Sequence, residues 1–169
     1  QFSTTTKLQG QAIVASTQGS HANATIVTRE RLNLLTSFNS KDLLLTQLEA
    51  GNNGDDAIGR KQKKNFNLLG TTGLIANGGG LDYAEVDDRL KLRRLYYSFH
   101  PVSDLAVTVG AKMSPRDFID RNRYANNEAI DFSSSFFLNN PLIVQNQIDR
   151  NGGAGVAVAW NPSGGQLTL

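Results

Sequence analysis

Residues 25–50, TIVTRERLNLLTSFNSKDLLLTQLEA, carry two runs of alternating apolar and polar residues around a tight polar turn. In the first run Ile26, Leu32, Leu34 and Phe38 fall on one face of an extended chain, and Arg29, Arg31, Asn33 and Ser37 on the other. Successive side chains of a strand point to opposite sides, so a period of two marks a strand whose faces meet different surroundings. Asn39-Ser40-Lys41-Asp42 supplies the turn. Leu44, Thr46, Leu48 and Ala50 then oppose Gln47 and Glu49, with Leu43 and Leu45 blurring the start. The stretch reads as a β-hairpin.

The same pattern extends both ways. In 2–15, Phe2, Thr4, Thr6, Leu8, Gly10, Ala12 and Val14 alternate with a face that includes Lys7, Gln9 and Gln11. Leu95, Tyr97 and Phe99 alternate with Arg94, Tyr96 and Ser98, and the turn 100–104 follows. Leu105, Val107, Val109 and Ala111 oppose Ala106, Thr108, Gly110 and Lys112; Ala154, Val156, Val158 and Trp160 oppose Gly155, Ala157 and Ala159. Asn161-Pro162-Ser163-Gly164-Gly165 is a turn cluster, and 166–169 opens a further strand. The four prolines, Pro101, Pro115, Pro141 and Pro162, fall between the segments, where a missing N–H breaks no ladder. The sequence predicts an all-β, antiparallel up-and-down chain of about seven strands.

Composition narrows the function classes less than the pattern does. No run approaches the roughly 20 apolar residues of a spanning helix. A mean hydropathy of -0.32 fits a soluble β-protein and equally a transmembrane barrel, in which only alternate residues face lipid. The chain has no cysteine, which excludes disulfides and thiolate metal sites, and its net charge of +2 is too small to imply a nucleic-acid partner. It starts at Gln1 with no signal peptide, as a processed product or a fragment would.

Connector lengths favour the membrane. The expected turns 39–42, 100–104 and 161–165 are short, 51–88 and 113–152 are long, and 16–24 is intermediate. Up-and-down strands place alternate connectors at opposite ends, so one end is trimmed and the other elaborated, as in outer-membrane barrels. Phe2, Phe38, Tyr97, Phe99 and Trp160 gather at the short-turn end of the apolar faces, where an interfacial aromatic girdle belongs. Seven strands fall short of the roughly eight that the smallest bacterial barrels need. An open edge in lipid is costly, so closure requires further strands.

Several phrases resemble the cyanobacterial outer-membrane porins of the carbohydrate-selective porin family, often called iron uptake porins. They are FSTTTKLQGQAI (2–13), RERLNLLTSFNSKDLLLTQLEAGN (29–52), LYYSFHPVSDLAVTVGAK (95–112), SFFLNNPLI (135–143) and GAGVAVAWNP (153–162). The ordered series of phrases carries the resemblance, which spans nearly all of residues 1–169. It implies the N-terminal part of a barrel of about sixteen strands. It also implies a homotrimer in the outer membrane, in contact with lipid and lipopolysaccharide. An S-layer-homology domain at the N-terminal side, absent from this sequence, would hold peptidoglycan. The implied activity is passive diffusion of small hydrophilic solutes and inorganic ions, iron and carbohydrate among them, with no enzymatic step, cofactor or resident metal. Glu30, on the lipid face, and Leu35, on the lumen face, depart from the pattern.

With the apolar faces toward lipid, the lumen is lined by Lys7, Gln9, Gln11, Arg29, Arg31, Asn33, Gln47, Glu49, Arg94, Tyr96 and Lys112. Arginine and lysine outnumber acids in this set, which predicts a mild anion preference. The bland alternative is a row of solvated polar positions. Connector 113–152 becomes the third external loop, and its Arg116, Asp117, Asp120, Arg121, Arg123, Glu128 and Asp131 can set a transverse field in a constriction. Phe136-Phe137-Leu138 and Pro141-Leu142-Ile143 would pin that loop to the wall; the alternative is an external cover or a trimer contact. Arg60-Lys61-Gln62-Lys63-Lys64 reads first as a solvated charge cluster and second as a lipopolysaccharide contact. Gly78-Gly79-Gly80 follows no strand-to-helix pattern, Ser133-Ser134-Ser135 reads as linker, and His21 and His100 fall at opposite ends. Two other classes compete with a porin. One is an outer-membrane to peptidoglycan tether with little conductance; the other is a soluble β-sandwich or lectin-like binder.

Overall fold

The computed structural model describes residues 5–54, 57, 86–118, 152–162 and 167–168. They form one antiparallel sheet in which every strand pairs with its sequence neighbours, in the order β1 to β7. The strands are β1 (Thr5–Gly19), β2 (Ala22–Ser37), β3 (Leu43–Gly51), β4 (Lys91–Val102), β5 (Leu105–Met113), β6 (Gly153–Trp160) and β7 (Leu167–Thr168). A 3-10 turn at Pro115–Asp117 follows β5. The chain is all-β and up-and-down, as the alternation predicts, and the sheet is open, with β1 and β7 at its edges. Among the described residues no helix is long and apolar enough to cross a membrane.

Two boundaries differ from expectation. Residues 16–24 are not a connector: β1 and β2 run on to a two-residue turn, Ser20-His21, with Gly19 opposite Ala22 and His21 at φ 60°. Their alternation continues past the end of β3, because Ser16, Gln18 and Thr25 satisfy the period without looking like core. Pro101 lies inside β4 rather than after it. The pairing with β5 is irregular between Phe99 and Val102, so the proline occupies a bulge where no ladder hydrogen bond is lost.

The turn between β2 and β3 is held by Asp42, a buried carboxylate. Its Oδ1 accepts hydrogen bonds from the Ser37 hydroxyl (2.8 Å), Phe38 N (2.9 Å) and Asn39 N (3.0 Å). The Tyr97 hydroxyl donates to Oδ2 at 2.7 Å, tying the turn to β4. Ser40, at φ 66°, donates its N–H to the Ser37 hydroxyl, and Lys41 N donates to Asn39 Oδ1. Burial opposes the charge on Asp42, but the Tyr97, Asn39, Ser37 and Phe38 donors together outweigh it and hold the carboxyl well below its usual range. A carboxylate whose folded pKa is depressed contributes stability above its unfolded pKa of about 3.9 and loses it as pH falls toward the folded value. Asp42→Asn is therefore expected to lower the thermal unfolding midpoint at pH 7 by several degrees. The gap should close progressively below about pH 4. A gap that persists unchanged at the most acid pH would show that shape, not charge, fixes this turn.

Candidate functional site

Register assigns each side chain to one of two faces. Directly paired residues share a face, so Lys7–Leu35–Leu45–Tyr96, Gln9–Asn33–Gln47–Arg94 and Gln11–Arg31–Glu49 are three adjacent rows of one face. Ile13 and Arg29, Ala15 and Val27, and Thr17 and Thr25 continue it toward the β1–β2 tip. Ten of the eleven residues expected on the polar side thus lie together, Lys112 excepted. The other face carries Leu8, Val14, Ile26, Leu32, Leu34, Leu48, Leu92, Leu95, Val109 and Val156. Tyr97, Phe99 and Trp160 fall on this apolar face toward the short-turn end, and Phe38 of the β2–β3 turn lies against Tyr97. Tyr97 stacks on Phe99 at 5.7 Å between centroids and meets Phe38 edge-on at 6.1 Å.

Burial runs opposite to that of a water-soluble sheet. On the apolar face Val14 is 73% exposed, Val156 64% and Leu8 65%. On the polar face Arg29 is 1% exposed, Arg31 4% and Arg94 5%. Leaving a large aliphatic side chain in water forfeits roughly 1.5–3 kcal/mol of burial, so a whole face of them calls for an apolar surrounding. Glu30 interrupts that face, opposite Ala12 and Ala50 and beyond the level at which β3 ends its pairing with β4. Leu35 does face the polar side, between Lys7 and Leu45.

Two bulges reset which residues reach the polar face. Between Gln47 and Leu48 the pairing jumps from Arg94 to Leu92, so β4 carries one residue too many, Arg93. Arg93 and Arg94 then lean to the same side. Arg31 donates to Glu49 Oε2, while an Arg93 guanidinium nitrogen lies 3.4 Å from Oε1, so one carboxylate bridges two guanidinium groups. The doublet itself, two arginines breaking an alternating strand, was the signal for Arg93. A second irregularity, between Gly110 and Met113, turns Met113 inward and pairs Lys112 with Leu95. Lys112 accordingly stands on the apolar face near the end of β5, which corrects its expected polar-side position. The sulfur of Met113 sits where Gly110 and Gly155 leave room: a Cβ at those glycines would meet it at 3.1 and 3.4 Å.

The polar face is covered toward its long-connector end. Ala57 is buried, and its N–H donates to Thr17 Oγ1 at 2.9 Å, so the connector after β3 crosses over β1. Where that connector returns, Gly51 N donates to Asp87 O and Asn53 N to Val86 O, both at 2.7 Å. A Cβ on Gly51 would lie 2.6 Å from the Thr28 carbonyl and from Val86 Cβ, so only glycine admits this approach. After β5, Asp117 Oδ2 receives Arg94 Nε at 2.5 Å and Ser114 N at 3.1 Å, and Arg94 Nη2 reaches Oδ1 at 3.3 Å. Phe118 meets Tyr96 edge-on at 5.3 Å. Gln47 Nε2 donates to Asn33 Oδ1 at 2.8 Å, while Lys7 and Gln9 remain exposed.

Of the residues expected in a constriction, Asp117 thus folds onto the polar face, and Arg116 belongs to the same 3-10 turn. Asp120, Arg121, Arg123, Glu128 and Asp131 lie outside the described residues. So do Phe2, the Arg60–Lys64 run, Gly78–Gly80, Ser133–Ser135, Phe136–Leu138 and Pro141–Ile143. His21 sits in the β1–β2 turn and His100 beside Lys41 of the β2–β3 turn, at opposite ends of the sheet. Among the described residues no group of histidine and carboxylate side chains is placed to hold a metal.

No family model matches the chain, and no solved structure matches it. Among curated proteins it is similar to Uncharacterized protein alr4550 of Nostoc sp. (strain PCC 7120), 33% identical over 184 residues. The alignment covers 98% of this chain and 29% of that relative, so the chain spans under a third of the relative's length.

Proposed function

We propose that this chain is a section of the wall of an outer-membrane porin, a water-filled β-barrel for passive diffusion of small hydrophilic solutes and ions. The observation that carries the reading is the inverted burial: exposed aliphatics on one face of an up-and-down sheet, buried arginines on the other. Lipid is the surrounding that rewards the first face, and a polar lumen partly filled by connectors is the one that holds the second. Aromatics toward the short-turn end, long connectors at the other, and Glu30 and Lys112 near that second end agree with a bilayer crossed by β1 to β6. The open edges close with further strands, in keeping with a relative more than three times as long as the matched region. Localisation in a cyanobacterial outer membrane, a homotrimeric state, and contacts with lipopolysaccharide and peptidoglycan belong to the same proposal.

Arginines outnumber carboxylates on the described polar face, and Lys7 is exposed there, so the wall carries positive potential. Purified in detergent and inserted into a planar bilayer, the protein is expected to give discrete ohmic steps, with a reversal potential favouring anions across a salt gradient. A cation-selective reversal would remove the charge argument while leaving the pore. A protein that stays monodisperse without detergent and passes no current would remove the pore as well.

A further inference from the structure

We propose that Leu35, Leu43, Leu45 and Tyr96 form a solute-binding strip on the polar face, one that takes monocarboxylates with a hydrocarbon body and holds their carboxylate at Lys7. The inference rests on the porin reading and adds a class of solute to it.

Three leucines break the alternation of the sequence: Leu35 in β2, and Leu43 and Leu45 in β3. Register brings them to one place. Leu35 pairs with Leu45, Leu45 with Tyr96, and Leu43 with Ser98, so all three stand together on the polar face. Polar residues border them on both sides, Gln9, Asn33 and Gln47 toward the long connectors, Ser37 and Ser98 toward the short turns. The four side chains of the strip are half-buried, whereas Arg29, Arg31 and Arg94 of the neighbouring rows are buried. The strip is open where the arginine rows are covered. Leucine surface left in a wet lumen gains from any apolar body laid against it, in proportion to the area covered.

Charge selects the head group of that body. Lys7 pairs with Leu35 at the β1 end of the same row and is exposed. The acids of this face are engaged elsewhere, Glu49 by Arg31 and Arg93 and Asp117 by Arg94. Neighbouring strands lie about 4.8 Å apart, so the row from Lys7 to Tyr96 spans about 14 Å. With its carboxylate at Lys7, a chain of roughly six to eight carbons crosses Leu35 and reaches Leu45. The surface is largely aliphatic, and its one ring, Tyr96, meets Phe118 edge-on. A neutral hydroxylated solute fits it poorly, because hydroxyl groups laid on leucine lose their water partners without replacing them.

The test is block of the ionic current through the native protein in a planar bilayer, with acetate, butyrate, hexanoate and octanoate added in turn. Block is expected to tighten roughly two- to fourfold per added methylene and to level off near octanoate. Hexylammonium, a body of the same length with the opposite charge, and glucose are expected to give no block at the same concentration. Lys7→Gln should weaken octanoate block roughly fivefold or more while keeping the dependence on chain length. Leu35→Asn and Leu45→Asn, which restore the alternation, should flatten that dependence, and Leu45→Met should keep it. Folding of each variant is checked by its migration on unheated gels. Equal block by all four acids, or block by hexylammonium as strong as by hexanoate, would overturn the site and leave the porin standing. Block by glucose alone would overturn the class of solute. A dependence on length that survives both asparagine variants would place the binding elsewhere and overturn the strip. A parent that folds and inserts but passes no current would overturn the porin reading and the site with it.

Discussion

Val109→Arg is expected, on the proposed porin reading, to cost about 2–4 kcal/mol of folding free energy in a bilayer, the penalty that a cation would meet on a lipid face near the midplane. Val109 is the central residue of β5, between Tyr97 of β4 and Val156 of β6, and is 47% exposed. At such a position on a water-soluble sheet the same substitution changes stability by roughly 0.5 kcal/mol or less, and it improves solubility. Opposite consequences thus follow from one replacement, according to what surrounds the apolar face. The measurement is urea unfolding of the refolded protein in phospholipid vesicles. Val102→Arg, at the short-turn end of the same face, serves as the depth control and should cost about 1 kcal/mol or less. Equal, small costs at both sites would mean that no hydrocarbon lies against β5. The soluble sandwich would then lead, and the exposed aliphatics would belong to an interface with another protein layer.

The period of two survives almost everywhere because two different surroundings press on the two faces at once. This is why β2, β3 and ten polar-face residues were legible in the sequence. Legibility ends where a face changes its rule. At the β1–β2 tip Ser16, Gln18 and Thr25 are polar or small on both sides, so a continuing hairpin looks like a connector. At the bulges beside Arg93 and before Met113 one added residue shifts the alternation, and a strict period puts Lys112 on the wrong side. The covering of the polar face was legible only in outline. A long charged connector suggests an inward fold, but the partners Arg94–Asp117 and Tyr96–Phe118 are 23 and 22 positions apart, and no local pattern couples them. Ala57 over Thr17 is a pairing of the same kind, with nothing in the alanine to announce it.

Glu49→Gln should be the most damaging conservative change on the polar face. Gln has nearly the same shape, so packing survives and only the charge is lost. Glu49 accepts from Arg31 and from Arg93, and its side chain is 15% exposed against 4% for Arg31. Two guanidinium groups would then face a neutral amide in a region where water is scarce. Removing one partner of a buried pair costs about 3–5 kcal/mol, because the remaining charge keeps its desolvation penalty. An exposed pair of the same geometry contributes about 1 kcal/mol or less. The size of the loss therefore measures how wet the polar face is at this level. A large cost, partly recovered when Arg31→Gln is combined with Glu49→Gln, would place the row Gln11–Arg31–Glu49 beneath inward-folded connectors, with the solute path displaced toward Gln9, Asn33 and Gln47. A loss below about 1 kcal/mol, with no coupling between the two sites, would place the same row on an open, hydrated wall. Under that outcome Arg31 and Arg93 would face permeating ions directly, and neutralising Glu49 should instead strengthen the anion preference of the channel.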